Sequence, residues 1–198
     1  MAIEYLGLSE INGPLVVLEG VKNASFDEIV EFRVDDGSRK LGRIVEIYEE
    51  KAVIQVFEGT ENMSLQNTHT RLSGHPMEIE LSPEILGRTF DGIGRPIDRL
   101  GPVIPEKKLN INGLPLNPVT REYPRNFIQT GISAIDGLTT LIRGQKLPIF
   151  SGNGLPHDQL AAQIVQQASL GADSDEKFAI VFAAMGVKYD VAEFFRRT

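Results

Sequence analysis

The chain has 198 residues, 41% of them hydrophobic and 24% charged, and its formal net charge at pH 7 is −7. This composition is that of a globular protein with one or two domains, and it excludes collagen, coiled coil and general disorder. The acidic balance argues against nucleic acid as a partner, and the absence of cysteine excludes disulfides, thiolate metal sites and a thiol nucleophile.

Residues 1–75 are predicted to form a small β-barrel. Short apolar or alternating runs follow one another at strand-like spacing and are separated by turn signals. Asp36-Gly37 lies between two of these runs and predicts a hairpin. The four clearest strand candidates are Leu15–Leu18, Ile29–Val34, Leu41–Tyr48 and Ala52–Phe57.

Residues 76–198 are predicted to form an incomplete α/β nucleotide-binding-like domain that begins with a connector, 76–145, rich in proline and glycine. The prolines exclude long helices from the connector, although a short helix is predicted around Ile132–Leu141.

From Lys146 the pattern becomes strand, loop, helix, strand, helix. The predicted strands are Leu147–Phe150 and Lys177–Met185, and the predicted helices are Gln159–Leu170, stopped by Gly171, and Asp190–Arg197. Two strands are fewer than the usual ~5–6 of a sheet, so we expect the natural protein to be longer.

The loop SGNGLPHD follows the first of these strands and has the length of the phosphate-binding motif GxxxxGK[ST]. Pro156, His157 and Asp158 stand where the motif has Gly, Lys and Ser/Thr. Proline lacks the N–H that a phosphate cradle uses, the imidazole of histidine lacks the permanent charge of lysine, and the carboxylate of aspartate repels phosphate. We therefore predict a degenerate, weak or inactive nucleotide site, termed here the P-loop-like segment: Ser151, Gly152, Asn153, Gly154, Leu155, Pro156, His157 and Asp158.

A second group needed for catalysis is missing at the end of the next predicted strand. Val187 follows Gly186 at the position where a P-loop ATPase would carry a water-activating carboxylate, and a valine cannot orient water. We therefore predict no catalytic residue in this chain. The histidines have no partners at metal-ligand spacing, so surface or capping roles are expected for His69, His75 and His157, and no metal site is predicted.

Three segments together resemble a known family: Gly87–Asp98, Phe127–Phe150 and Ser151–Ala168 are similar to the B subunit of V-type and A-type rotary ATPases. The resemblance extends from about Leu15 to the last residue. It implies an N-terminal β-barrel, a truncated RecA-like α/β domain, and a C-terminal helical domain that this chain lacks. In that family the B subunit is non-catalytic and regulatory.

The resemblance also implies partners. Three B subunits alternate with three catalytic A subunits, with ATP or ADP and magnesium at the interfaces, mostly on the A side, and none bound by this chain alone. Central and peripheral stalk subunits complete a complex that couples ATP synthesis or hydrolysis to proton or sodium transport in separate membrane subunits. The chain would thus be cytoplasmic and peripheral to the membrane, with no direct membrane insertion.

Two alternatives remain open at this stage: an active P-loop ATPase of the same fold, and a stand-alone β-barrel adaptor. The trans-acting arginine of the family would lie beyond Thr198. Three further arginines could reach a neighbouring subunit's nucleotide, and the sequence does not choose among Arg121, Arg125 and Arg143.

Overall fold

A computed structural model describes residues 4–171 and 176–198. The chain divides into two compact units, Met1–Pro115 and Leu116–Thr198. The domain boundary after residue 75 stays a prediction, since the seven-stranded sheet ends at Pro76 but its compact unit continues to Pro115.

The first unit is built on an antiparallel seven-stranded sheet in the order β1-β7-β4-β5-β6-β3-β2. Alternating burial along β6 (buried at Ala52, Ile54 and Val56) shows the one-face-in pattern that the sequence predicts. The strands are β1 Glu4–Leu6, β2 Glu10–Asn12, β3 Leu15–Glu19, β4 Glu28–Arg33, β5 Arg39–Tyr48, β6 Lys51–Val56 and β7 His69–Pro76.

The predicted Asp-Gly hairpin is confirmed. Gly37 has a φ of +81°, a conformation that glycine adopts without steric penalty, and its N–H donates to Val34 O at 2.9 Å. The turn sets Arg33 opposite Arg39, which fixes the register of β4 against β5.

The sheet curls around an apolar core. Phe32, Ile44 and Ile54 are fully buried, and they pack with Leu8, Val16, Leu18, Val21, Val30, Ala52 and Val56. The first and last strands of the sheet order, β1 and β2, are consecutive in the chain and are joined by the three residues Gly7–Ser9. The two edges of the sheet are thus brought together by the chain itself, as a small β-barrel requires.

The connector adds a two-stranded antiparallel sheet to the first unit, made of β8 Glu78–Leu81 and β9 Lys107–Asn110. Between these strands, the segment Gly87–Asp98 folds back on itself, with Phe90 bridged to Pro96. As predicted, no long helix occurs in the described connector, which contains the six-residue helix α1, Ser133–Leu138.

The second unit contains α1, α2 His157–Gln167 and α3 Tyr189–Arg197. Both longer predicted helices are confirmed, but the predicted stop at Gly171 is wrong. Helix α2 ends at Gln167 because Ser169 exchanges two backbone hydrogen bonds of 2.9 Å with Gln129.

The strands predicted at Leu147–Phe150 and Lys177–Met185 are absent from the described part of the chain, where both segments are irregular. A strand exists only when its N–H and C=O groups pair with a neighbour, and neither segment has a paired neighbour among the described residues. Ile180 and Phe182 are about half exposed as a result. Phe182 still stacks on Phe195 of α3, with ring centroids 4.4 Å apart.

Candidate functional site

The P-loop-like segment leads into helix α2, and its last two residues, His157 and Asp158, are the first two residues of the helix. Asn153 and Gly154 form a turn that is closed by a 3.3 Å hydrogen bond from Leu155 N to Gly152 O. Gly154 has a φ of +82°, which favours glycine there. Ser151 through His157 are all exposed and Asp158 is partly buried, so the segment forms an open surface turn.

His157 is turned back onto its own loop. Its Nδ1 lies 2.9 Å from Leu155 O and 3.0 Å from Ser151 Oγ. Since a carbonyl oxygen can only accept, a hydrogen bond to Leu155 requires a proton on Nδ1. The other ring nitrogen, Nε2, lies 3.6 Å from Asp158 Oδ1. The imidazole is therefore occupied by groups of the loop itself.

The start of α2 has an unusual composition for a phosphate site. Pro156 occupies the N-cap position without a side-chain cap, and Asp158 is the acidic residue of the first turn. Unsatisfied N–H groups and the helix dipole attract negative charge at this end of a helix. Asp158 supplies that charge from within the chain, where a P-loop would receive it from a bound phosphate.

Asp136 organises the turn that leads into α1. Its carboxylate accepts hydrogen bonds from Thr130 N, Thr130 Oγ1 and Gly131 N at 2.9, 2.7 and 3.0 Å, and Thr130 is fully buried. The backbone and side-chain hydrogen bonds from Thr130 lower the pKa of Asp136 below its ordinary value. Sequence reasoning missed this residue, because its hydrogen-bond donors lie five and six residues before it and no local motif marks them.

Two of the three candidate arginines come together in the second unit. Arg125 and Arg143 line a cavity of about 660 Å³ with Glu122, Tyr123, Pro124 and Asn126, whereas Arg121 is not among the lining residues. Arg143 is ion-paired with Glu176. The cavity wall contains no residue of the P-loop-like segment.

The remaining candidates occupy surface positions. His69 Nδ1 lies 3.0 Å from Glu4 Oε1, and His75 Nδ1 lies 2.8 Å from Pro76 O. Val187 is 44% exposed and lies in an irregular segment. Within residues 4–171 and 176–198, no three His, Asp or Glu side chains are clustered so as to hold a metal ion. None of the helices in those ranges combines the length and apolarity needed to cross a bilayer.

The β-barrel and the loop-to-helix turn of P-loop length place the chain in the class of proteins that join a β-barrel domain to a nucleotide-binding domain. Family models match both parts. The ATP synthase alpha/beta family, beta-barrel domain, matches residues 8–68, and the nucleotide-binding domain of the same family matches residues 131–198.

Curated relatives are similar along the whole chain. It is 61% identical over 198 residues to "V-type ATP synthase beta chain 2" of Clostridium tetani and 59% identical over 192 residues to "V-type ATP synthase beta chain" of Halothermothrix orenii. It is 55% identical over 196 residues to the B subunit of the A-type ATP synthase of Cenarchaeum symbiosum. These alignments cover 97–100% of this chain but only 41–43% of the relatives.

The chain belongs to the ATP synthase alpha/beta family and corresponds to the N-terminal portion of a V-type or A-type B subunit, also named the beta chain. This result confirms the resemblance and the fold class derived from the sequence. The names of the relatives favour neither of the two alternatives, the active P-loop ATPase and the stand-alone adaptor.

Proposed function

We propose that this chain is the N-terminal portion of a non-catalytic, regulatory B subunit that packs against catalytic A subunits in an alternating hexameric head. The observation that carries the proposal is the composition and closure of the P-loop-like segment. Pro156, His157 and Asp158 replace the donor, the cation and the metal-binding hydroxyl of a working phosphate site.

Three features of this segment oppose phosphate binding. Pro156 removes a backbone donor, and the His157 ring is held by Leu155 O and Ser151 Oγ. Asp158 presents a carboxylate to the same helix end, where a phosphate at 4 Å would be repelled by roughly 4 kcal/mol at an effective dielectric of 20. Hydrolysis would also need a group that orients water, and the predicted position holds Val187.

The partners follow from the proposed subunit identity. ATP or ADP and magnesium would lie at the interface with the A subunit, and the chain itself would hold no cofactor. The complex would further contain central and peripheral stalk subunits and would couple ATP synthesis or hydrolysis to proton or sodium transport. The protein would then be cytoplasmic and peripheral to the membrane.

The test is calorimetric titration of the chain with Mg-ATP, together with an ATPase assay. We expect no turnover and an affinity weaker than micromolar. The triple variant Pro156→Gly, His157→Lys, Asp158→Thr restores the donor and the cation and removes the carboxylate, so it is expected to bind Mg-ATP more tightly than the parent chain.

A matched control separates loop chemistry from a general effect of charge. Asp190→Thr makes the same acidic-to-hydroxyl change in the first turn of α3 and is expected to leave nucleotide affinity unchanged. Magnesium-dependent turnover by the parent chain that is lost on changing His157 or Asp158 would establish the active-ATPase alternative instead. Failure to co-purify with an A subunit, when that partner is present, would favour the adaptor.

A further inference from the structure

Asn-Gly dipeptides are sites of spontaneous backbone chemistry, because glycine has no Cβ to hinder attack by its own nitrogen on the preceding side-chain amide. The chain contains three of them: Asn12-Gly13, Asn112-Gly113 and Asn153-Gly154. All six residues are exposed, so exposure alone does not distinguish the three dipeptides. Their hydrogen bonds do.

At Asn112-Gly113 both reacting groups are occupied. Asn112 Nδ2 donates to the Asp27 carboxylate at 2.6 Å, and Gly113 N donates to Asn110 O at 3.0 Å. Attack by Gly113 N on the Asn112 amide carbon would require both hydrogen bonds to break, one of them to a charged acceptor. This raises the barrier to the reaction.

At Asn12-Gly13 the backbone is held on both sides. Asn12 is paired with Leu15 in the ladder between β2 and β3, and Gly13 O accepts a 2.6 Å hydrogen bond from Thr60 Oγ1. The rotation that brings Gly13 N to the Asn12 side chain would break this end of the hairpin.

Asn153-Gly154 has neither restraint. The two residues are the central pair of the turn closed by Leu155 N and Gly152 O, and that single bond is 3.3 Å long. Within residues 4–171 and 176–198, no hydrogen bond involves the Asn153 side chain or Gly154 N. Both reacting groups are therefore free to approach each other.

We propose that Asn153 is the preferred site of spontaneous deamidation in this chain. Gly154 N attacks the Asn153 side-chain carbon, the new N–C bond closes a succinimide ring, and the amide nitrogen leaves as ammonia after taking up the proton. Water from the solvent then opens either carbonyl of the ring, giving aspartate or isoaspartate at position 153. The product adds a carboxylate to a segment that already carries Asp158, and the isoaspartyl form lengthens the backbone by one carbon.

The experiment incubates the full 198-residue chain at mildly alkaline pH. Deamidation at each dipeptide is followed by peptide mass spectrometry and isoaspartate by enzymatic methylation. The native chain is expected to deamidate at Asn153 about tenfold or more faster than at Asn112. This is the change in rate that results when one hydrogen bond to a charged group must break before the reaction.

A parallel incubation in urea isolates the contribution of the fold. There the three dipeptides are expected to react at similar rates, because the contacts of Asn12 and Asn112 are lost. The variant Asn153→Gln should remove the signal at this position, since attack on the longer side chain must close a larger ring. The proposal is overturned if Asn12 or Asn112 reacts as fast as Asn153 in the native chain, or if the same ranking persists in urea.

Discussion

The guanidinium of Arg88 and the carboxylate of Asp98 lie side by side across the folded-back segment Gly87–Asp98, with Arg88 Nη2 3.0 Å from Asp98 Oδ1 and Arg88 Nε on the other oxygen. The carboxylate also accepts hydrogen bonds from Thr89 N and Leu100 N, and Arg88 Nη2 donates to Gly101 O at 2.7 Å. Both side chains are mostly buried. This pair closes one of the three segments that resemble the family.

The Arg88–Asp98 pair predicts a loss of stability in acid. The hydrogen bond from Arg88 holds the pKa of Asp98 far below its ordinary value. A carboxylate with a depressed pKa in the folded state stabilises fully above its unfolded pKa of about 4 and loses that contribution as pH falls through the folded value.

Unfolding measured from pH 7 down to pH 2 on the parent chain and on Asp98→Asn provides the check. The variant should be less stable at pH 7, and the difference should shrink steadily below about pH 4. A constant difference across that range would mean that the charge of Asp98 contributes nothing.

Gly42 in β5 is predicted to tolerate no side chain. A Cβ there would lie 2.8 Å from Gln55 O and from Ile54 Cγ2, and 3.0 Å from Phe32 Cε2. Gly42→Ala should therefore destabilise the barrel by about 1–3 kcal/mol through overpacking. Gly92→Ala is the matched control, because its Cβ would meet nothing within 4 Å. Chemical denaturation of both variants would contradict the prediction if they unfolded at equal denaturant concentrations.

Glu28 is predicted to stabilise the barrel because its carboxylate accepts hydrogen bonds from two backbone N–H groups. It is 3% exposed, and its two oxygens accept from Ser25 N at 2.9 Å and Gly74 N at 2.6 Å. Glu28→Gln replaces one acceptor oxygen with an NH₂ group that faces the backbone N–H of Ser25 or Gly74. We expect a loss of about 1–3 kcal/mol in unfolding free energy. Glu31→Gln, on the same strand with its carboxylate ion-paired to Arg39 at the surface, should change stability far less.

Hydrogen exchange should divide the chain according to strand pairing. Amides of Ala52–Val56 lie in β6, which is paired on both sides with β3 and β5, and they should exchange slowly. Amides of Lys177–Met185 belong to no described strand and should exchange quickly in the isolated chain. Equal protection of the two segments in a monomer would mean that Lys177–Met185 finds a paired neighbour within this chain.

The barrel was predictable because its signals are local. Alternation in Ala52–Val56 and the Asp36-Gly37 turn act over a few residues, and the structure forms strands and a hairpin there. The strand order was not predictable, since the pairing of β4 with β7 joins residues far apart in the chain. Glu28 was missed for the same reason, since one of its donors, Gly74 N, lies in β7. Gly42 was missed because a sequence pattern does not show how closely Phe32 and Ile54 approach its backbone.

In the second unit, local sequence patterns were not sufficient to predict which segments form strands. Lys177–Met185 has the apolar composition of a buried parallel strand, but composition does not supply the neighbouring strand that pairing needs. Helices α2 and α3 were predicted more successfully because their hydrogen bonds are internal. The composition of the P-loop-like segment was readable from the sequence, whereas the closure of His157 onto Leu155 O and Ser151 Oγ was not.

The three-residue link Gly7–Ser9 acts as a tether between the two edges of the barrel sheet. Gly7 is suited to it: its φ is +85°, and a Cβ would lie 2.9 Å from Leu65 O. A link this short keeps one edge at a very high effective concentration near the other, so closing the barrel loses little chain entropy. Doubling its length would add only about 0.6 kcal/mol by entropy alone. The barrel should consequently accept a longer tether more readily than a side chain at Gly7.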